Sequence, residues 1–103
     1  MSYFSDTLSP GEKRVLTFDF TADLEGSEVL SGTPSVTITT ALGTDASPSS
    51  IQNGAVSFDS TTKKVLFPMQ AILADNDYNI VILTDTTNVL KVLSLSGIIK
   101  VRV

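Results

Sequence analysis

The sequence predicts an all-β sandwich, and three observations carry this prediction. Apolar residues occupy alternate positions through long stretches of the chain, as they do in strands that bury one face. Turn residues such as Gly, Pro, Asn and Ser separate these stretches about every 10 to 12 residues, the spacing typical of sandwich strands. Only residues 71–77 have the composition of a helical turn, and they are too short for a longer helix. These features favour an antiparallel sandwich.

The strands follow from the alternation, which is clearest from Val15 to Leu24 and from Tyr78 to the end of the chain. The β-branched residues of 35–42 support a half-buried strand, and residues 54–59 and 63–69 form a predicted hairpin. Turns are expected at Thr84–Asn88 and Ser94–Gly97, so the chain should end as a meander. We therefore expect seven or eight strands, at residues 15–24, 28–31, 35–42, 54–59, 63–69, 78–83, 89–93 and 98–103.

One face of these strands supplies the predicted core. Its members are Leu16, Phe18, Phe20, Leu24, Val36, Ile38, Val56, Phe58, Val65, Phe67, Tyr78, Ile80, Ile82, Val89, Leu93, Ile99 and Val101. Residues 14–103 should form a single domain, preceded by an irregular N-terminal arm at residues 1–13. The loop of residues 43–54, rich in Ser, Pro and Gly, is not expected to pack closely.

Missing residue types exclude several functions. The 103 residues include no Cys, His or Trp, which removes disulfides, thiolate metal sites, the commonest general base and the strongest sugar-stacking platform. We therefore predict no catalytic, cofactor or metal residues. The net charge of −4 argues against a nucleic-acid partner, since phosphate binding needs clustered Lys and Arg. No apolar run is long enough to span a bilayer, so no membrane partner is expected.

Three polar clusters each have a possible functional interpretation and a simpler structural one. The run Asp75-Asn76-Asp77 offers oxygen ligands for Ca²⁺, but Asp and Asn are also ordinary turn residues, which is the favoured interpretation. Asp19 and Asp23 share a strand face about 13 Å apart, farther than glycosidase carboxylates at about 5 to 9.5 Å. A pair of Ser60 with the neighbouring lysines would lie in an exposed hairpin turn, where nothing lowers the pKa of a lysine.

Tyr78 has a more specific structural interpretation. Immunoglobulin-like sandwiches often place a Tyr early in a late strand, with its hydroxyl bonded to nearby backbone. Tyr78 opens an aliphatic strand directly after an Asp-rich turn, which fits this tyrosine corner. An ordinary core position and a ligand contact remain alternatives.

Tyr3, Phe4 and Leu8 are apolar residues in the N-terminal arm that follow no strand periodicity. Adjacent aromatic residues outside a core favour an interface, because such side chains anchor protein contacts. They are the candidate interface residues. The alternative is that the arm folds across the mouth of its own sandwich.

Three segments together resemble a known family. The first is PGEKRVLTFDFTADLEGSEVLSG, a strand with an acid at its middle, and the second is Tyr78 opening a strand after a short polar turn. The third is the closing strand IIKVRV, in which aliphatic and basic residues alternate. Over about residues 10–31 and 74–103 the chain resembles the small immunoglobulin-like proteins encoded among the virion structural genes of tailed bacteriophages.

This resemblance implies a non-enzymatic structural role and an immunoglobulin-like antiparallel β-sandwich. The expected function is that of a capsid decoration or cement protein, or of a head–tail neck protein. Its partners would be other virion proteins and further copies of itself, and its location would be the virion, assembled in the host cytoplasm. The alternative is an adhesive or carbohydrate-binding immunoglobulin-like module that contacts a cell surface, which the absence of a signal peptide and of Trp disfavours.

Overall fold

The computed structural model describes the backbone of residues 3–102 and the side chains of residues 7–102. Strands dominate the described part, joined by turns and two short 3₁₀ segments, Thr21–Asp23 and Pro48–Ile51. The strands are β1 (Tyr3–Leu8), β2 (Lys13–Asp19), β3 (Leu30–Leu42), β4 (Ser57–Phe58), β5 (Lys64–Gln70), β6 (Asn76–Thr86) and β7 (Val92–Val101).

The strands form two sheets, which confirms the predicted all-β fold. One sheet has the order β1-β7-β6-β3 and the other has the order β2-β5-β4. Neighbouring strands are antiparallel except β1 and β7, which run parallel. The predicted hairpin of residues 54–69 is present, since Phe58 in β4 lies opposite Val65 in β5.

The core lies between the two sheets, and alternate residues of each strand enter it because successive side chains point to opposite faces. Phe18 of β2 and Phe67 of β5 are buried in this core and meet edge to face, with ring centroids 6.4 Å apart. Predicted core residues that are buried are Leu16, Phe18, Phe20, Val65, Phe67, Tyr78, Ile80, Ile82, Ile99 and Val101. Those that pack against the core while partly buried are Leu24, Val36, Ile38, Val56, Phe58 and Leu93.

The C-terminal meander is instead a single long hairpin of β6 and β7. Residues 94–97 were predicted to turn, but they lie inside β7, and Leu95 is buried. The reason is visible in the alternation, because Leu93 and Leu95 continue the same inward face as Ile99. Ser94 points to the outer face, opposite Leu83. Ser94 and Ser96 therefore belong to a regular strand, although Ser is common in turns.

The N-terminal arm is not irregular, contrary to the prediction. Residues 3–8 form β1, which pairs with β7 in parallel from Tyr3 opposite Ser96 to Leu8 opposite Val101. The backbone N–H of Arg102 donates to the carbonyl of Leu8 at 2.9 Å, which fastens the end of this pairing. β1 therefore covers an edge of β7 that would otherwise expose unpaired backbone groups. Its partner lies far away in sequence, so local periodicity could not reveal it.

Two strand boundaries also differ from the predictions. β2 stops at Asp19, whose carboxylate accepts hydrogen bonds from the Thr21 N–H at 2.9 Å and the Thr21 hydroxyl at 2.6 Å. These bonds turn the chain into a 3₁₀ segment instead of continuing the strand. The predicted strands at residues 28–31 and 35–42 are one strand, β3, with a register irregularity between Ser31 and Ser35.

The loop of residues 43–54 packs more closely than predicted. Its 3₁₀ segment places Ile51 in the core with no exposed surface. The loop enters at Gly43, which has a φ of +89°, and a Cβ there would lie 2.1 Å from Asn76 Oδ1. Only glycine allows this backbone conformation and this close approach. Residues 71–77 contain a turn and the start of β6, without the helical turn that was expected.

Candidate functional site

The predicted interface residues are not brought together on one exposed surface. Leu8 is 1% exposed and belongs to the core, so its side chain is not available to a partner. This corrects its assignment to the interface, and the reason is the strand pairing of β1. Tyr3 and Phe4 lie in β1 opposite Ser96 and Gly97, and their side chains fall outside the described part of the chain.

Tyr78 is buried in β6, but its hydroxyl does not make the predicted backbone contact. It donates to Asp45 Oδ2 at 2.6 Å, across 33 residues of sequence. Asp45 Oδ1 in turn accepts the backbone N–H of Ser47 at 2.8 Å. Burial raises the pKa of Tyr78, and the hydrogen bond to the Asp45 carboxylate raises it further. Tyr78 therefore anchors the loop of residues 43–54 through a side chain.

The Asp75-Asn76-Asp77 run serves the turn into β6. Asp75 has a φ of +61°, and Asn76 Nδ2 donates to the carbonyl of Ala74 at 2.9 Å. Asp77 instead pairs with Arg102, with Asp77 Oδ1 2.7 Å from Arg102 Nη2. Within residues 7–102, no group of three or more Asp, Glu, His or Cys side chains is placed to hold a metal ion. The side chains of Asn76 and Asp77 thus have separate structural roles, and Asp75 occupies the positive-φ position of the turn.

The most unusual surface is the tip of the β6–β7 hairpin, residues 87–91, called the hairpin tip below. Val89 is 92% exposed and Leu90 is 93% exposed, the highest values among the large apolar side chains of the described residues. Val89 was predicted to be in the core, and this prediction is wrong. The prediction continued the strand alternation through Val89, but Val89 lies in the connection between the end of β6 and the start of β7.

Hydrogen bonds hold the hairpin tip in one conformation. The buried hydroxyl of Thr86 accepts the N–H of Asn88 at 3.1 Å and lies 2.9 Å from the Asn88 carbonyl. The side-chain oxygen of Asn88 accepts the N–H of Leu90 at 3.1 Å, and the Asn88 carbonyl accepts the N–H of Lys91. Asn and Thr side chains replace the missing ladder bonds here, as they do in many turns. The two apolar side chains are therefore displayed from an ordered backbone.

Glu28 braces the hairpin tip from the loop before β3. Glu28 Oε1 accepts a hydrogen bond from Lys91 Nζ at 2.8 Å, and Glu28 Oε2 accepts one from Asn88 Nδ2 at 3.1 Å. The Glu25 backbone N–H donates to the same carboxylate at 2.9 Å. The bond from Lys91, with the bonds from Glu25 and Asn88, lowers the pKa of Glu28 to about 2. The same ion pair raises the pKa of Lys91.

A polar cleft of about 320 Å³ adjoins the hairpin tip. It is lined by Ser31, Asp85, Thr86, Asn88, Val89 and Lys91. The cleft thus combines a carboxylate, an ammonium group, hydroxyls and an amide beside an apolar projection. Apolar anchors with a polar surround are the usual composition of protein-binding surfaces. We therefore take the hairpin tip and this cleft as the candidate functional site.

A local signal for the hairpin tip was present in the sequence. Val89 and Leu90 are consecutive apolar residues, which breaks the alternation that a strand requires. Asn88 directly precedes them, and Asn favours turns because its side chain bonds to backbone two residues on. The contribution of Glu28 carried no local signal, because it lies 60 residues from Asn88 and 63 from Lys91.

Comparison with known proteins does not assign the chain to a family. No protein-family model matches it, and no curated protein matches it. A solved structure, the solution structure of amebosin, aligns with 95% of this chain and 88% of its own chain, at 11% identity and a TM-score of 0.40. A likeness this distant carries no functional argument. Neither helical segment in the described part of the chain has the length and apolar character to cross a membrane.

Proposed function

We propose that this protein is a non-enzymatic structural component of a tailed-phage virion. It acts as a capsid decoration or cement protein, or as a head–tail neck protein, and binds other virion proteins. The sequence resemblance of residues 10–31 and 74–103 supports the phage assignment. The observation that carries the binding role is the ordered hairpin tip, where Val89 and Leu90 are almost fully exposed.

The proposed fold is immunoglobulin-like. Two packed sheets of mainly antiparallel strands support this proposal, as does a buried Tyr early in the penultimate strand. The bond from Tyr78 to Asp45 departs from the usual corner, in which the hydroxyl contacts backbone. Only the hydrogen-bond partner of the Tyr78 hydroxyl differs, because the Tyr78 ring is buried in β6.

The hairpin tip suits a contact that is repeated many times. Burying a side chain such as Val or Leu contributes about 1.5 to 3 kcal/mol, so two of them give only a weak individual contact. The Glu28 and Thr86 contacts already order the tip, which reduces the conformational entropy lost on binding. On a symmetric shell or ring, many weak contacts of this kind combine into firm attachment.

The test is binding to particles of the encoding phage that were assembled without this protein. The purified chain should co-sediment with these particles, and the double variant Val89→Ser/Leu90→Ser should bind at least about 10-fold more weakly, since more than about 1.4 kcal/mol is lost. Val15→Ser is the matched control, because Val15 is 61% exposed and lies in β2 of the other sheet. Failure of the native chain to co-sediment, or equal loss in both variants, would contradict the proposal.

The polar cleft favours one second candidate, a carbohydrate-binding module that contacts a cell surface. Asp85, Asn88 and Ser31 present the carboxylate, amide and hydroxyl groups that hydrogen-bond sugar hydroxyls. A glycan array separates the two functions. Saturable binding that Asp85→Ala abolishes, without co-sedimentation with particles, would favour the second candidate.

A further inference from the structure

The free edge of β3 is the second unusual surface of this fold. β3 ends the four-stranded sheet, so one side of its backbone has no neighbouring strand among the described residues. Residues 35–40 pair continuously with β6 and make no backbone hydrogen bond to any other described segment. An exposed edge of this kind offers unpaired N–H and C=O groups to another strand.

This edge lacks the usual protection against pairing. Natural edge strands carry charges, above all Lys, that prevent a second strand from docking. β3 extends from Leu30 to Leu42 without one charged residue. Its first part is blocked by Pro34 and by the register irregularity between Ser31 and Ser35, and its end carries a second irregularity between Thr40 and Leu42. The unprotected part is therefore residues 35–40.

We propose that a second copy of this chain occupies this edge, with β3 pairing antiparallel to β3 around a two-fold axis at Thr37. The four-stranded sheets of the two copies then form one continuous sheet. This inference goes beyond the proposed function and does not depend on it. It leaves the hairpin tip free, because Thr37 lies opposite Val81 in β6, several residues from the tip.

Charge makes this edge the surface at which a second copy can approach, because β3 carries no charged residue. The chain has a net charge of −4, so most surfaces of two copies repel each other. Two uncharged β3 edges meet without placing like charges opposite each other, which would be destabilising in a sheet. A closed two-fold contact also uses the same surface on both copies, which is the commonest symmetry of protein dimers.

The register follows from the two faces of the strand. Antiparallel pairing must place inward residues opposite inward residues, so any two-fold axis passes through a residue. An axis at Thr37, within the regular segment, places Val36 opposite Ile38 of the second copy and Ser35 opposite Thr39 of the second copy. Val36 and Ile38 are only partly buried in the monomer although they pack against its core, and this pairing covers them further.

A single introduced thiol tests the axis directly, because the chain contains no cysteine. Facing residues of an antiparallel pair have Cα atoms about 4.5 to 5.5 Å apart, within the disulfide range of about 4.4 to 6.8 Å. Thr37→Cys should therefore form a disulfide-linked dimer in most chains under mild oxidation. Thr39→Cys is the matched control on the same exposed face. Its two thiols would lie about 13 Å apart along the strands and should remain unlinked.

A charge variant tests the same edge without oxidation. The native chain should show twice its monomer mass in size-exclusion chromatography with light scattering, and Thr37→Lys should show the monomer mass with an unchanged circular dichroism spectrum. Thr17→Lys, at an exposed position of β2, should remain dimeric. A monomeric native chain, a dimeric Thr37→Lys variant, or equal cross-linking of the two cysteine variants would each overturn the proposal.

Discussion

At the scale of single residues, the contact between Tyr78 and Asp45 has the clearest structural effect. It joins a buried ring in β6 to a loop that the sequence presented as loosely packed. The hydrogen bond is short, at 2.6 Å, and its acceptor is a carboxylate, so it belongs to the stronger class of protein hydrogen bonds. The loop of residues 43–54 depends on this contact and on the buried Ile51.

Removing the hydroxyl should weaken the fold measurably. Tyr78→Phe keeps the ring in the core and deletes a hydrogen bond to a charged group, so we expect a loss of about 1.5 to 3 kcal/mol. Asp45→Ala should cost at least as much, because it also removes the bond from the Ser47 N–H, and the double variant should cost little more than Asp45→Ala alone. Urea denaturation measures all three free energies of unfolding. Additive losses would show that the contact does not contribute to stability.

At the scale of elements, the β6–β7 hairpin combines a long, regular ladder with an ordered tip. The ladder pairs residues from Asn76 opposite Val101 to Asp85 opposite Val92. Beyond it, the Glu28 carboxylate takes the place of further strand pairing by bonding both Asn88 and Lys91. The order of the hairpin tip therefore depends on an ionised group outside the hairpin as well as on the Thr86 and Asn88 bonds within it.

Acid should loosen the hairpin tip before it unfolds the sandwich. The folded pKa of Glu28, about 2, lies below its ordinary value of 4.5, so its stabilising effect is complete above about pH 4.5 and is lost as the pH falls towards 2. The protection of the Leu90 amide, its exchange rate relative to the intrinsic rate at the same pH, should fall over this range while core amides of β6 remain protected. Glu28→Gln should show low protection at Leu90 even at pH 6.

Glu25→Gln is the control for this pH effect. This substitution removes one negative charge from the same loop. It keeps the contact of Glu25 with the Glu28 carboxylate, because the backbone N–H of Glu25 makes that contact. This variant should keep the native pH dependence at Leu90. If Glu25→Gln and Glu28→Gln change hydrogen exchange at Leu90 equally, the net charge of the loop and not the hydrogen bonds of Glu28 determines the order of the hairpin tip.

The elements that could be predicted from sequence are those whose evidence is local. Alternation located β2, β5 and β6 and most of the core, because each strand buries one face and shows this in its own residues. β1 was missed because it pairs in parallel with β7, from the far end of the chain. The contacts of Glu28 could not be predicted for the same reason, since Glu28 reaches the hairpin tip only in the folded chain, whereas Val89 and Leu90 did carry a local signal.

At the scale of the whole molecule, the N-terminal strand belongs to the folded domain. From the sequence, residues 1–13 were expected to form an irregular arm outside the sandwich. The position of Leu8 in the core and the β1–β7 pairing change this expectation. An arm that contributes a core side chain and an edge strand is a structural element, whatever Tyr3 and Phe4 contact.

Truncation should therefore destabilise the protein. Leu8→Ala should cost about 2 to 5 kcal/mol, since it removes buried methyl groups and leaves a cavity. Deletion of residues 1–9 should cost more, because the strand pairing is lost as well. Val15→Ala, at an exposed site, should change stability by less than about 0.5 kcal/mol. Chemical denaturation measures the free energy of unfolding of the three variants. A truncated chain with native stability would contradict this prediction and support the N-terminal arm as an interface.

The parallel pairing of β1 with β7 also determines how the domain responds to mechanical tension. The two strands run in the same direction, from Tyr3 beside Ser96 to Leu8 beside Val101. A pull that separates the start of β1 from the end of β7 acts along both strands and shears them past each other. All hydrogen bonds of the pairing then bear the force together, instead of opening one after another as in a peeled hairpin. The domain should thus resist a pull between the start of β1 and the end of β7 more strongly than its thermodynamic stability alone would indicate.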